Sequence, residues 1–238
     1  MLKIALPRGI NERREIAVST SGGRVLVLVA NANSVTFRGS SCSYTTFPMR
    51  VNSHLTRCPS TPQVETLGSN LVVRLQAGAA TPAQLWNFIV AVCDWGGRTG
   101  NRVRGLIQKN YNAHVTMTRF TNAVNILAPV NAATNPIVLA GTIIQAIDEM
   151  TAISGLATSY ASKMLRFLRP DICGVFDSLL ATNTGFPCNN ANFAQYSVDC
   201  LVVAGHLARL GMVNPRTGTT TWRAGDVDQA LFACIQGW

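Results

Sequence analysis

Read for hydrophobic spacing alone, the chain changes character near residue 80. The stretch "TPAQLWNFIVAVCDW" opens with Thr81 as a helix N-cap and Pro82 at the first helical position. Apolar residues three and four apart follow, as on one face of a helix. "GTIIQAIDEMTAI" repeats that spacing, and Gly155 stops it. "ATSYASKMLRFL" predicts a third helix, ended by Pro170. "NFAQYSVDCLVVAGHLARLG" predicts a fourth with Gly211 at its C-terminal end, and "AGDVDQALFACIQ" a last one with Asp226 as N-cap.

The first seventy residues follow another pattern. "RVLVLVANANSVTFRG" is rich in β-branched residues and ends in turn formers, which predicts one or two strands. "SSCSYTTFPMRVNSHLTRCPSTPQ" is polar, contains proline and has little periodicity, so it is expected to be a loop. "LVVRLQ" reads as another short strand. No internal repeat or low-complexity segment stands out. The expected architecture is mainly α, with an irregular β-containing part over residues 1–70 and a helical domain over 71–238.

Composition narrows the classes. A chain of 238 residues suffices for one full-sized domain, or two small lobes sharing an interface. With 47% hydrophobic and only 7% aromatic residues, the core should be mostly aliphatic. No window approaches the uninterrupted apolar run of about 18 residues that a membrane span needs. "MLKIALPRGINERREIAVST" lacks the apolar core and small-residue cleavage site of a secretory signal, so a cytoplasmic protein is expected. The seven cysteines stand singly with no CxxC pair, and His54, His114 and His206 are isolated. That argues for reduced thiols rather than a disulfide framework or a metal site. Twenty Lys+Arg against eleven Asp+Glu leave a net charge of +9, and for a chain without a polybasic tail nucleic acid is the commonest partner.

Only 13% of residues are charged, yet "ISGLATSYASKMLRFLRPDICGVFD" sets Lys163 and Asp177 among apolar neighbours. "ISGLA" joins two predicted helices over about residues 142–168 in a tight hairpin, with Gly155 letting the backbone turn. Backbone N–H groups at the start of the second helix, with its dipole, suit a DNA phosphate. "ISGLATSYASKML" followed by "ICGVFD" resembles the signature of helix–hairpin–helix DNA glycosylases, most of all their OGG-like (8-oxoguanine DNA glycosylase-like) branch. The resemblance is specific over residues 143–180 and weaker in "WGGRTGNRVRGL" and "DVDQALFACIQ". In that superfamily an aspartate follows the first hairpin glycine by about twenty-two residues, the separation of Gly155 and Asp177 here.

The resemblance implies a two-lobed helical fold acting on double-stranded DNA as a monomer, with Asp177 and Lys163 catalytic and the hairpin, around Gly155, Ala157 and Ser159, on the DNA. Cleaving the bond between a base and its deoxyribose builds oxocarbenium-like charge on the sugar, which a nearby carboxylate stabilises. Two positions depart from the family. Ala157 replaces the second hairpin glycine, and Ser159 fills the slot where bifunctional members carry their lysine, with Lys163 one turn further on. Lys163 is therefore either an amine nucleophile or a cation near the sugar or its phosphate. Asp177 also suits the N-cap of a helix beginning "SLLA". "WGGRTGNRVRGL" reads as a glycine-rich loop whose Arg98, Arg102 and Arg104 contact the DNA backbone, and Arg166 and Arg169 extend that basic track. Trp95, Phe120 and Trp222 are candidates for stacking on a flipped base. The closely spaced cysteines that hold an iron–sulfur cluster in some relatives are missing, so no cofactor is implied. Two substrates stay open, an oxidised purine in repair or a hypermodified phage base, since related bacterial enzymes excise glucosylated hydroxymethylcytosine in antiviral defence. A non-catalytic DNA-binding module is the alternative.

Overall fold

Helical spacing governs more of the chain than the sequence pattern indicates. The computed structural model describes residues 20–21, 24–25, 27–38 and 40–238, and among these it has ten α-helices and five short strands. The N-terminal stretch read for a signal lies almost wholly outside the described residues. Strands β1 (Thr20–Ser21) and β2 (Arg24–Val25) pair antiparallel. Strands β3 (Val29–Ala30), β4 (Ser34–Phe37) and β5 (Ser40–Ser43) form an antiparallel meander, with Val35 opposite Cys42. The expectation of strands in "RVLVLVANANSVTFRG" is met.

The expected loop over residues 40–63 instead holds strand β5, helix α1 (Phe47–Arg57) and the start of helix α2 (Thr61–Gln76). Pro48 and Pro62 occupy their first turns, where proline's missing N–H has no intrahelical partner to lose. Read as loop markers, these prolines mark helix starts. Phe47, Val51 and His54 form the buried stripe of α1. "LVVRLQ" is the last part of α2 rather than a strand. Leu71 and Leu75, four apart, are buried, while Val73 between them is exposed.

The later helices are α3 (Pro82–Trp95), α4 (Arg98–Lys109), α5 (Ala113–Leu127), α6 (Pro136–Thr151), α7 (Thr158–Leu168), α8 (Ser178–Thr184), α9 (Asn190–Arg209) and α10 (Ala224–Ile235). Thr81 caps α3 in a reciprocal capping box with Gln84. Helix α5, capped by Asn112, had no expectation. The glycine-rich "GGRTGNRVRG" is not a loop but the start and body of α4: Gly97 turns the chain at φ +66°, and Gly100 lets the helix lie against the backbone carbonyl of Cys93. In α10 the N-cap is Arg223, and Asp226 sits one turn inside, its carboxylate accepting from the Arg223 backbone N–H at 3.3 Å.

Helix α7 is the centre. It packs against α2, α3, α6 and α9, and every residue from Tyr160 to Leu168 is buried. Helices α5 and α6 pack together, α6 also lies on α9, and α1 lies on α10, which brings the first and last helices together. The sheet is fastened by Asp199 of α9, whose Oδ2 accepts from Val27 N (2.8 Å) and Leu28 N (3.1 Å). Arg38 at the β4–β5 turn donates from Nη1 to the Thr182 carbonyl of α8 at 2.6 Å. Among the described residues no helix is long and apolar enough to cross a membrane.

Candidate functional site

The hairpin runs from the end of α6 through Ile153–Ala157 into α7. Gly155 has φ +93°, and a Cβ there would lie 2.9 Å from Ile107 N and 3.0 Å from Leu106 C. Two demands thus meet at one residue: a left-handed backbone, and close approach to the end of α4. Ala157 is the N-cap of α7 in extended conformation and offers no side-chain cap. A shallow depression at this corner is lined by Leu156, Ala157, Thr158, Asn189 and Asn190, so the starts of α7 and α9 face it together. Asn190 links the helices, accepting from Thr158 Oγ1 (2.7 Å) and donating to Asp148 Oδ1 (2.7 Å). The exposed Asp148 carboxylate therefore stands beside this depression.

Two turns into the molecule from the hairpin, Lys163 Nζ meets Asp177 Oδ2 at 2.9 Å. The Lys163 side chain is 7% exposed and that of Asp177 18%, so solvent reaches the pair mainly through the carboxylate. Lys163 is buried because α7 is buried from Tyr160 to Leu168. A solvated position for this lysine is excluded. Asp177 is also the N-cap of α8: its Oδ1 accepts from Leu179 N (3.1 Å) and Leu180 N (3.2 Å). One oxygen is held by the helix start and the other by the ammonium, so both are engaged and the carboxyl group is fixed in one orientation.

Two neighbours complete the surroundings. Lys163 Nζ lies 4.9 Å from the Tyr160 ring centroid, within cation–π range, and Tyr160 Oη hydrogen-bonds Thr99 Oγ1 (2.8 Å) and the Gly96 carbonyl (3.3 Å). Burial pushes the Tyr160 phenol up, and the Asp177 charge adds to that. Cys188 is half-buried and donates from Sγ to the Phe176 carbonyl at 3.1 Å; burial first, and then the Asp177 charge, raise its thiol. Tyr160 is visible in the sequence only as the residue three before Lys163. Nothing local marks Cys188.

The remaining candidates separate. Ser159, in the first turn of α7, is half-buried and lends its carbonyl to Ser162 Oγ (2.9 Å), which in turn accepts from Phe176 N (3.1 Å). Arg98 and Arg102 are exposed on α4 and form no ion pair among the described residues, whereas Arg104 pairs with Asp94 at 2.9 Å. Phe120 is wholly buried against Phe88. Trp222 is buried too, its Nε1 donating to the Met212 carbonyl, and Trp95 donates to Thr61 Oγ1 while packing edge-on to Phe167. These three rings serve the core, which removes them as free stacking platforms.

Neither Arg166 nor Arg169 extends a basic track on the surface. Arg169 pairs with Asp171 and donates to the carbonyls of Leu127 and Val130, tying α7 to the end of α5. Arg166 is 1% exposed and meets Glu65 Oε1 of α2 at 2.6 Å. Arg216 holds the same carboxylate bidentately (2.7 and 2.8 Å), and Arg223 joins at 3.2 Å while also pairing with Asp226. Burial would raise the Glu65 carboxyl, but the charges of Arg166, Arg223 and Arg216 and an Arg216 hydrogen bond outweigh it and hold the group at about 2. Of the two residues read as extending the surface track, Arg166 belongs to a buried charge cluster and Arg169 is held by Asp171 and backbone carbonyls. No family model matches this chain, and neither a curated protein nor a solved structure matches it.

Proposed function

We propose that this protein is a DNA N-glycosylase that flips a modified base out of duplex DNA and hydrolyses its N-glycosidic bond, leaving an abasic site. The observation that carries the reading is the Lys163–Asp177 contact at 2.9 Å, behind a hairpin whose Gly155 is held in a left-handed turn. A largely buried lysine on α7 paired with a carboxylate at the start of α8 is costly to retain for packing alone, since a well-packed apolar pair of similar volume is often as stable. The fold that belongs with this reading is two helical lobes with a groove at Asp177.

The chemistry follows from the contacts. The two α8 amide donors and Lys163 hold the Asp177 carboxylate in one orientation. When the base departs, that charge faces the oxocarbenium-like sugar, and water completes the hydrolysis. Lys163 sits a turn beyond the family's usual lysine slot, which Ser159 fills, so it serves as a cation beside the sugar or its phosphate rather than as the nucleophile. The start of α7 and the exposed Arg98 and Arg102 hold the DNA backbone. The substrate is a hypermodified phage base such as glucosylated hydroxymethylcytosine, or an oxidised purine such as 8-oxoguanine. The partner is double-stranded DNA, bound by a monomer in the cytoplasm.

A second reading, a non-catalytic DNA-binding module, is favoured by one observation: cap amides and Lys163 already occupy both Asp177 oxygens. Mass spectrometry of bases released from genomic and modified phage DNAs separates the two. A base released by the native protein and not by Asp177→Asn supports the enzyme; duplex binding with no release from any DNA supports the module.

A further inference from the structure

Tyr160 and Lys163 stand three residues apart and so share one face of α7. Lys163 Nζ lies over the Tyr160 ring, 4.9 Å from its centroid, while donating to Asp177 Oδ2 at 2.9 Å. Among the described residues the ammonium has no other hydrogen-bond acceptor. A lysine stem is flexible, and its ammonium is a point charge without the fork geometry of arginine, so one hydrogen bond fixes it poorly. The ring supplies a second contact, face-on to the charge.

The far end of the same ring is anchored. Tyr160 Oη donates to the Gly96 carbonyl (3.3 Å), which leaves its lone pairs to accept from Thr99 Oγ1 (2.8 Å). Gly96 ends α3, and Thr99 lies in the first turn of α4 beside the exposed Arg98. Space here is tight: a Cβ on Gly96 would lie 2.5 Å from Tyr160 Oη and 3.0 Å from the ring carbon Cζ. Gly96 has φ −72°, so its missing side chain serves the ring rather than the backbone. Burial raises the phenol, which stays neutral and sets no charge against Lys163.

We propose that Tyr160 is a positioning residue of this site, a role that rests on the glycosylase reading. Its ring holds the Lys163 ammonium on Asp177, and its hydroxyl ties that pair to the start of α4, the helix read as holding the DNA backbone. Without the ring, a DNA phosphate would compete with Asp177 for the ammonium and draw it away along its flexible stem. Tyr160 is only 6% exposed, so it acts through Lys163 rather than by contact with the substrate.

The chain has three lysines, Lys3, Lys109 and Lys163, and Lys109 is exposed on α4, so an amine reagent reads Lys163 against an internal standard. The full chain is acetylated with N-hydroxysuccinimide acetate and its peptides are quantified by mass spectrometry. Relative to Lys109, Lys163 should be labelled roughly threefold to tenfold faster in Tyr160→Leu than in the native protein. Tyr160→Phe keeps the ring and should restore most of the difference; Thr99→Val, an isosteric change at an exposed residue, should match it. Gly96→Ala should push the ring aside and raise Lys163 labelling too, yet add nothing in Tyr160→Leu. The wholly buried Cys173 should stay closed to N-ethylmaleimide, which separates a freed lysine from an unfolded chain; should Tyr160→Leu open it, Gly96→Ala decides. On DNA from which the native protein releases a base, Tyr160→Leu should slow single-turnover release about tenfold with duplex affinity within about twofold, and Tyr160→Phe should recover most of the rate. Unchanged Lys163 labelling in both Tyr160→Leu and Gly96→Ala overturns the proposal, and so does labelling that follows the ring with an unchanged release rate. If the native protein releases no base while labelling follows the ring, the glycosylase reading falls and the hold of Tyr160 on Lys163 stands.

Discussion

Asp177 does two jobs with two oxygens, and substitutions can pull them apart. Asparagine keeps a cap acceptor for Leu179 and Leu180 but loses the charge facing Lys163. Asp177→Asn should lose base excision by at least about 10²–10³-fold with duplex affinity largely kept, read by single-turnover release and by fluorescence anisotropy. It should also lower unfolding free energy by roughly 1–3 kcal/mol, less than for a fully buried pair because the carboxylate is 18% exposed. Asp177→Ala should cost about 1 kcal/mol more, the worth of the cap, and adding Lys163→Met to Asp177→Asn should recover stability; urea denaturation measures all three. Lys163→Ala should slow excision about 10²-fold. Borohydride trapping then assigns the nucleophile: an adduct that disappears in Lys163→Ala would overturn the water assignment, and alkali-labile abasic product without an adduct supports it. The pairing of these two side chains answers why so sparsely charged a sequence buries them.

At the scale of elements, the informative positions are where helices touch. A Cβ on Gly68 of α2 would run into the Phe167 carbonyl of α7, and one on Gly155 into the end of α4. Gly68→Ala and Gly155→Ala should each cost roughly 1–3 kcal/mol by urea denaturation, the first through overpacking and the second through its positive φ as well. A loss below about 0.5 kcal/mol at either would mean that the contact yields easily. Helix α4 carries the DNA prediction. Because Arg104 is engaged with Asp94, Arg98→Ala and Arg102→Ala should account for most of the DNA binding lost when Arg98, Arg102 and Arg104 are all replaced by Ala. The slope of log affinity against log salt should fall by about 1–2, whatever the DNA sequence. An unchanged slope would take α4 off the DNA.

Over the whole molecule, the Glu65 cluster joins α2, α7, the segment before α10 and α10 itself. The Gln229 amide, turned with its oxygen inward, accepts from Arg216 and Arg166. Glu65 is held at about 2 in the folded chain against 4.5 when free. A lowered folded-state value means stability fully present above about pH 4.5 and lost as pH falls toward 2. Two further buried groups act in the next window. His54, lowered to about 4 by burial and then by Arg166 and Arg216, adds stability as pH rises toward 6.5. Asp228, raised to about 7 by burial against the pull of Arg166, removes stability as pH rises from 3.8 to 7. Their opposition leaves the Glu65 limb as the clear signal: urea unfolding should weaken steeply below pH 4.5, and Glu65→Gln should flatten that limb. Glu65→Gln should also cost about 3–5 kcal/mol at pH 7, because it strands buried guanidiniums.

What the sequence determined by itself was local. Helical spacing and caps located α3, α6, α7, α9 and α10, because a helix face repeats within a few residues and its ends carry their own chemistry. Asp177 as a cap, and Gly155 as the hairpin's turn, were legible for the same reason. Only the tertiary structure decided which charges are wet. The fate of Arg166 rests on Glu65, a hundred positions away on α2, and that of Trp222 on the helices around it, contacts that leave no trace at short range. Pro48, Pro62 and the α4 glycines misled because the same residues that break a chain in solution also start helices or let them pack closely. The meeting of Lys163 with Asp177 is likewise a product of packing: α7 and α8 must both be in place before the pair exists.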